Sequence, residues 1–278
     1  MKTFCVFYSY FETNKSKINL EFFVKNGINL NENIFYVFLI NNHKISVKIP
    51  NQKNIKIIFR DNIGHDFGSW KDGLNSIKKT FDYFIFMNDT VCGPFLPRYI
   101  PKNNTWYQMF CNLISEKVKL SGLTINYCTN KKKKKNFKAY LNLALEKYKL
   151  RRRKKKGSKH GEGCARHVQS MIFCTDEIGL EILKKNIFHL NPIDYDNIYN
   201  KSRDDFINEF EIGMSQHIIK NGFDIAALYV CDIKKHITND IWYNNEYFGT
   251  NVNPMETMFI KKNRIDSELI EFYINSFI

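Results

Sequence analysis

The sequence lacks the features that mark several common classes of protein. No apolar run reaches about 18 residues, the length that a membrane-spanning helix needs. The first residues, MKTFCVFYSYFE, have neither the long apolar stretch nor the small-residue cleavage site of a secretory signal. The chain also has no GK[ST] ending of a Walker A loop and no GxGxxG spacing, which argues against P-loop nucleotidases and dinucleotide enzymes.

Paired cysteines are missing as well. The seven cysteines are odd in number and scattered, and no two of them form a CxxC pair. This usage predicts free thiols in a reducing compartment and argues against a disulfide framework or a structural zinc site. We therefore expect a cytoplasmic protein, or one at the cytosolic face of a membrane.

The basic charge of the chain comes from one segment. The formal net charge is +14, but residues 131–159 alone hold fifteen Lys or Arg and one Glu. Removing that segment from the totals of 42 basic and 28 acidic residues leaves 27 of each elsewhere. The rest of the chain is neutral, so the charge does not by itself indicate a nucleic-acid-binding fold.

Apolar residues inside this basic segment recur at helical spacing. They are Phe137, Tyr140, Leu141, Ala144, Leu145 and Tyr148. The spacing predicts an amphipathic helix flanked by KKKKK and RRRKKK. Three interpretations stay open: a helix docked on the core, an interfacial helix drawn to anionic lipid, or a nucleic-acid-binding segment, for which no recognised motif is present.

Apolar patterning predicts an α/β fold. Strands are expected at 3–11, 33–41, 54–59, 83–88, 118–127 and 223–230, and helices at 15–27, 68–81, 167–186 and 203–222. Strands that alternate with helices indicate βαβ units and a mostly parallel, Rossmann-like sheet flanked by helices. Such sheets bind ligands at the carboxyl ends of their strands.

One of these strand ends is rich in glycine and charge. RDNIGHDFGSWKDGL (60–74) follows an apolar strand and opens a helix. Its glycines could let the backbone approach a ligand closely, and a helix N-terminus favours anions. The alternative is an ordinary turn with a capped helix.

Three further stretches carry candidate chemical groups. Asp89 follows a strand in FIFMNDTVCGPF and could ligate Mg²⁺ or Mn²⁺, or merely form a turn. Glu211 lies one helical turn from Ser215 and could take a proton from a hydroxyl, or be a solvated helix acid. The cations of NPMETMFIKKNR, Lys261 among them, could reach phosphate oxygens or be surface charge.

Five stretches of the sequence together resemble the rhamnan-synthesis-F-like and lipopolysaccharide-type glycosyltransferases. In chain order they are RDNIGHDFGSWKDGL, FIFMNDTVCGPF, HVQSMIFCT, FEIGMSQHIIKNGFDIAALY and NPMETMFIKKNR. Related single-domain enzymes occur in large DNA viruses. The resemblance implies a single GT-A domain, with a nucleotide-sugar half at about 1–130, the basic insertion at 131–160 and an acceptor half at 161–278. It also implies a UDP- or dTDP-sugar donor, a glycan acceptor and a divalent metal, Mn²⁺ or Mg²⁺.

The resemblance also assigns roles to individual residues. Asp66 would contact the nucleotide, and Asp89 would stand where other GT-A enzymes have their metal-binding DxD. Glu211 would activate the acceptor hydroxyl, and His167 and Gln169 would line the acceptor side. The sequence departs from the family pattern at the metal, because NDT replaces DxD.

The remaining charged and polar residues of these stretches complete the expected donor site. Arg60, Lys71, Asn88 and Lys261 are predicted to help bind the ribose and the diphosphate. A single carboxylate base without a covalent nucleophile predicts inversion. The leading expectation is therefore an inverting transferase of a rhamnose- or xylose-type sugar. The alternatives are a nucleotidyltransferase and a membrane- or nucleic-acid-binding module that uses the basic segment.

Overall fold

The computed structural model describes residues 1–31, 33–97, 99–100, 105–128, 165–229, 252–262, 265 and 267–277. The basic segment 131–159, and with it the predicted amphipathic helix, lies outside the described residues. In the part of the chain that the structure describes, no helix is long and apolar enough to cross a membrane. The thiols of Cys5, Cys92, Cys111 and Cys174 are free, as the scattered cysteines predicted.

Four parallel strands form one half of the central sheet. They are β1 (Phe4–Phe11), β2 (Ile34–Asn41), β3 (Ile55–Arg60) and β4 (Tyr83–Asn88), in the order β3-β2-β1-β4. The apolar runs of β1, β2 and β4 are nearly continuous because both of their faces are buried, whereas Ile57 and Phe59 of the edge strand β3 are exposed. All four strands were predicted from the sequence, and their limits match to within one residue.

The other half of the sheet mixes strand directions. Its strands are β6 (Val118–Cys128), β7 (Ala165–Val168), β8 (Ile172–Asp176) and β9 (Asp224–Tyr229). Strand β8 lies between β4 and β6 and is antiparallel to both, whereas β9 runs parallel to β6. Strand β7 is antiparallel to the later residues of β6. The predicted fold class, a Rossmann-like α/β sheet with helices around it, is confirmed.

Two hydrophobic cores lie on the two faces of the sheet. Val6 and Tyr8 of β1 belong to one core, together with Phe23 of α1 (Asn14–Asn26). Phe7 of β1 belongs to the other, together with Trp70 of α2 (His65–Ser76). Neighbouring residues of β1 face opposite cores because side chains alternate along a strand. The sheet is therefore fixed from both sides.

The limits predicted for the second helix were wrong. Helix α2 begins at His65 rather than 68 and ends at Ser76 rather than 81. It starts early because Gly64 adopts a left-handed φ of +82° and turns the chain into the helix. It ends early because Ile77 is extended.

The prediction of one helix over 167–186 was also wrong. Strands β7 and β8 occupy its first half, and only Glu177–Asn186 (α4) is helical. The apolar run Ile172–Cys174 pairs with β4, and a short apolar run carries no period that separates a strand from a helix. Helix α4 then begins where Asp176 accepts a hydrogen bond from the backbone N–H of Gly179.

The predicted helix at 203–222 is a composite in the structure. It comprises α6 (Arg203–Phe206), a π-helix (Ile207–Ile212) and α7 (Gly213–Lys220). The remaining described elements are β5 (Val91–Cys92), β10 (Ile260–Lys261), α3 (Trp106–Cys111), α5 (Pro192–Lys201), α8 (Pro254–Thr257) and α9 (Ser267–Phe277). Strand β10 pairs with β5 immediately after β4, and so brings the C-terminal part of the chain to the carboxyl edge of the sheet.

Candidate active site

Asp66 lies where the carboxyl ends of β1 and β4 meet the first turn of α2. Its Oδ1 accepts a hydrogen bond from the hydroxyl of Ser9 at 3.1 Å, and its Oδ2 accepts one from Nδ2 of Asn88 at 2.7 Å. Ser9 and Asn88 are buried. Asp66 is therefore held at both carboxylate oxygens by strand-end residues.

The hydrogen bonds continue across the neighbouring strands. Asn41 at the end of β2 donates from Nδ2 to the hydroxyl of Ser9 at 3.2 Å. Arg60 at the end of β3 donates to Oδ1 of Asn41 and to Oδ2 of Asp72, the latter at 2.8 Å. We call Ser9, Asn41, Arg60, Asp66 and Asn88 the strand-end cluster.

Burial and charge act on Asp66 in opposite directions. Desolvation raises its pKa above the usual value for aspartate, whereas the hydrogen bonds from Asn88 and Ser9 oppose the shift. Electrostatic interactions with His65 and Lys261 also lower the pKa. Lys261 therefore lies close enough to interact electrostatically with this carboxylate.

Asp89 follows β4 directly. Its Oδ2 accepts the backbone N–H of Phe11 at 2.6 Å, and its backbone carbonyl accepts Nδ2 of Asn19 at 2.8 Å. Desolvation raises the pKa of Asp89 to about 7, the negative charge of Asp66 adds to the shift, and the bond from Phe11 opposes it. The carboxyl thus lies in a poorly solvated, negative environment in which a cation would be stabilised.

The two lysines predicted at the donor site lie in different surroundings. Lys261 sits on β10 opposite Val91, two residues beyond Asp89. The ammonium of Lys71 instead donates to the backbone carbonyls of His189, at 3.3 Å, and Leu190. The structure therefore brings Lys261 to the strand-end cluster and holds Lys71 at the connection between α4 and α5.

The glycines at the start of α2 and within it allow close packing. A Cβ on Gly64 would lie 2.6 Å from the carbonyl oxygen of Pro192, and one on Gly68 would lie 2.9 Å from that of Ile63. A Cβ on Gly73 would lie 2.7 Å from the ring of Phe7. These positions require glycine because α2 packs closely against α5 and β1.

A second carboxylate, Glu211, is carried by the π-helix. Its Oε2 accepts a hydrogen bond from the hydroxyl of Ser170 at 2.6 Å, and its Oε1 lies 3.9 Å from Nε2 of His167. His167 is buried, whereas a quarter of the Glu211 side chain is exposed to solvent. We call His167, Ser170 and Glu211 the Glu211 cluster. Ser215, one turn away, instead accepts the backbone N–H of Val168 at 2.9 Å.

The link between β7 and β8, residues 169–171, connects the two clusters. The backbone N–H of Asn88 donates to the carbonyl of Met171 at 3.1 Å. Gln169, predicted on the acceptor side, accepts from the hydroxyl of Thr124 on β6 at 2.9 Å. Both carboxylate clusters therefore lie at one edge of the sheet, the edge at which parallel sheets bind ligands.

A family model described as rhamnan synthesis protein F matches residues 37–268. The match spans 232 of the 278 residues and includes both clusters except Ser9. The chain belongs to the rhamnan synthesis protein F family. No curated protein matches the chain. Membership gives this rhamnan synthesis protein F homologue a role in polysaccharide synthesis.

Sequence reasoning on this family member missed three of the polar residues at the site. Ser9 and Asn41 gave a usable signal, because each is a polar residue near the end of an otherwise apolar strand. Ser170 gave none, because its partner Glu211 is 41 positions away and the contact depends on the register of β7 and β8.

Proposed function

We propose that the chain is an inverting glycosyltransferase that moves a rhamnose- or xylose-type sugar from a UDP- or dTDP-linked donor onto a hydroxyl of a glycan acceptor. The single observation that carries the proposal is the occurrence of two carboxylate clusters at one ligand-binding edge, joined through Asn88 and Met171. One cluster offers polar groups for a nucleotide, and the other offers a partly exposed carboxylate for proton transfer. Family membership in polysaccharide synthesis supports this division.

The strand-end cluster suits the donor. A carboxylate has about four lone-pair sites, so Asp66 can accept from a ribose hydroxyl in addition to Ser9 and Asn88. Lys261 supplies positive charge for the diphosphate. Arg60 is proposed to support the donor site indirectly. Its guanidinium donates hydrogen bonds to Asn41, Asp72 and the carbonyl of Ile63, so its role is to hold the strand-end cluster together.

The Glu211 cluster suits the acceptor. Glu211 takes the proton of the acceptor hydroxyl, whose oxygen forms the new bond to the anomeric carbon. The bond from that carbon to the phosphate oxygen breaks, and its electron pair leaves with the nucleoside diphosphate. One displacement inverts the anomeric centre. His167 adjoins the base, and His167 and Gln169 are proposed to contact the acceptor.

A divalent cation, Mg²⁺ or Mn²⁺, belongs to the proposal. Among the described residues, no group of three or more His, Cys, Asp or Glu is placed to hold a metal by itself. Asp89 alone, in a negative environment, fits a cation that arrives with the diphosphate and keeps several waters. When bound, the cation would neutralise the charge that develops on the departing diphosphate.

Peripheral association with an anionic membrane at the cytosolic face is proposed from the sequence of 131–159 alone. Fifteen cationic side chains in that segment supply the attraction to anionic lipid. Co-sedimentation with phosphatidylserine vesicles at low salt is expected, and deletion of 131–159 should abolish it. A chain that stays in the supernatant with such vesicles contradicts the association.

The experiment that tests the function is a thermal-shift titration with UDP, GDP, dTDP, UDP-glucose, UDP-xylose and UDP-rhamnose, with and without Mn²⁺. We expect an increase in the thermal midpoint that is selective for uridine or thymidine nucleotides and that grows with Mn²⁺. NMR analysis of the product should then show an inverted anomeric configuration. A thermal shift that does not depend on Mn²⁺ would leave the glycosyltransferase proposal standing but contradict the role of Asp89 as a metal ligand. No shift with any nucleotide would overturn the proposal.

A further inference from the structure

Three consecutive residues between β7 and β8 are each bonded to a different element. Gln169 accepts from Thr124 on β6, Ser170 donates to Glu211 on the π-helix, and Met171 accepts from Asn88 at the end of β4. A segment tied at three successive positions has little freedom to shift. It therefore fixes the position of Glu211 relative to the strand end that carries Asp89.

Ser170 is the member of this link that contacts the carboxylate. Its hydroxyl is 2.6 Å from Oε2 of Glu211, the distance of a short charge-assisted hydrogen bond. A hydrogen bond of this kind adds geometric specificity, so it restricts the rotation of the carboxylate. The other carboxylate oxygen of Glu211, Oε1, lies 3.9 Å from Nε2 of His167.

We propose that Ser170 is a positioning residue for the transfer reaction: its hydroxyl holds the Glu211 carboxylate oriented toward the acceptor hydroxyl, in register with the donor. The inference rests on the proposed function, since it assigns Ser170 a role through the base. Ser170 itself forms no bond with the reacting atoms.

The role predicts a specific kinetic pattern for Ser170→Ala. Loss of a hydrogen bond to a charged group should lower kcat about ten- to a hundredfold. The KM for the donor should stay unchanged, because the strand-end cluster is intact. Ser170→Thr, which keeps a hydroxyl, should restore most of the rate.

The test measures release of nucleoside diphosphate from UDP-rhamnose, dTDP-rhamnose and UDP-xylose, with water or p-nitrophenyl rhamnoside as acceptor. Ser76→Ala is the matched control, because the hydroxyl of Ser76 donates at 2.7 Å to the carbonyl of Gly73 at the end of α2, away from both clusters. It should retain the wild-type kcat and KM. In the Glu211→Gln background, Ser170→Ala should cause no further loss, because the two residues act as a unit.

The outcomes separate the two proposals. A wild-type chain that releases no nucleoside diphosphate from any of these three donors overturns the proposed function and this inference with it. An active wild type with an equally active Ser170→Ala variant overturns the inference alone. A Ser170→Ala variant that loses rate only in proportion to lost folded protein, and whose rate Ser170→Thr does not restore, shows a structural role and also overturns it.

Discussion

The two carboxylates at the edge of the sheet are held in different ways. Asp66 accepts hydrogen bonds at both oxygens from buried residues that end parallel strands. Glu211 is bonded by Ser170 at one oxygen, and part of its side chain is open to solvent. A carboxylate held by the framework suits fixed recognition, whereas one with an accessible oxygen suits proton exchange. The surroundings of each carboxylate therefore decide which of the two tasks it suits.

The supporting elements differ as well. The strand-end cluster arises where β1, β2, β3 and β4 run in the same direction, so that polar residues at successive strand ends become neighbours. The Glu211 cluster depends on a π-helix and on the link between β7 and β8. π-Helical turns occur often at functional sites, because the extra residue redirects side chains that an α-helix would place elsewhere.

Replacing the proposed base should have the largest effect. Glu211→Gln keeps an acceptor for Ser170 but cannot take a proton, so kcat should fall about 10²- to 10⁴-fold. The thermal midpoint should not change. Glu209→Gln, at an exposed position of the same π-helix, is the control and should be fully active. Equal rates for Glu211→Gln and wild type, measured by nucleoside-diphosphate release, would contradict the assignment.

Removal of the other carboxylate should affect stability first. Asp66→Ala leaves the hydroxyl of Ser9 and the amide of Asn88 without their acceptor, and unsatisfied buried groups cost about 1–3 kcal/mol each. The free energy of unfolding in urea should fall by about 2–4 kcal/mol. Asp61→Ala, an exposed change in the same connection, should stay within about 0.5 kcal/mol. Comparable stability of the two variants would show that Asp66 is not held by the framework.

The two lysines offer a sharper test of the donor side. Lys261→Met should raise the KM for the donor about tenfold, the cost of one charge-assisted contact. Lys71→Met should leave this KM unchanged, because its ammonium bonds the carbonyls of His189 and Leu190. Initial rates at varied donor concentration measure both. A larger effect of Lys71 would mean that its side chain moves to the donor when the donor binds.

The smallest expected effect is on the pH dependence of stability. The pKa of Asp89 is about 7 in the folded chain, above its unfolded value, so its contribution is full in acid and is lost as pH rises through 7. Asp89→Asn keeps an acceptor for Phe11 but no titration, so its thermal midpoint should decline less than that of wild type between pH 4 and pH 8. Asp61→Asn should follow the wild-type curve. Identical slopes for Asp89→Asn and wild type would contradict the raised pKa.

Much of the fold followed from the sequence, because long apolar runs and helical spacing are local signals. The limits of the four strands of the parallel half, and those of helix α1, which ends at Gly27, were predicted to within a residue or two. The segment 167–176 was misread, because the partners that make it strand, β4 and β6, are remote in sequence. The limits of α2 were missed because they depend on the backbone angles of Gly64 and Ile77.

In the candidate site, too, some residues could be chosen from local sequence motifs, whereas others are revealed only by contacts in the folded chain. Asp66, Asp89 and Glu211 were chosen from local motifs, and the structure brings Lys261 to Asp66, whereas it holds Lys71 elsewhere. Their roles in donor binding, metal binding and proton transfer stay predictions. Ser170 could not be chosen, because its significance lies in a contact and not in a pattern.

The sequence by itself determined which residues carry charge at strand ends, and which segments are apolar enough to form the sheet, because both depend only on residue type and local order. Only the tertiary structure decided which polar groups meet. Hydrogen bonds such as Ser170 to Glu211 and Asn88 to Met171 join segments far apart in the chain. Their partners are set by strand register and helix packing, which are properties of the folded chain as a whole.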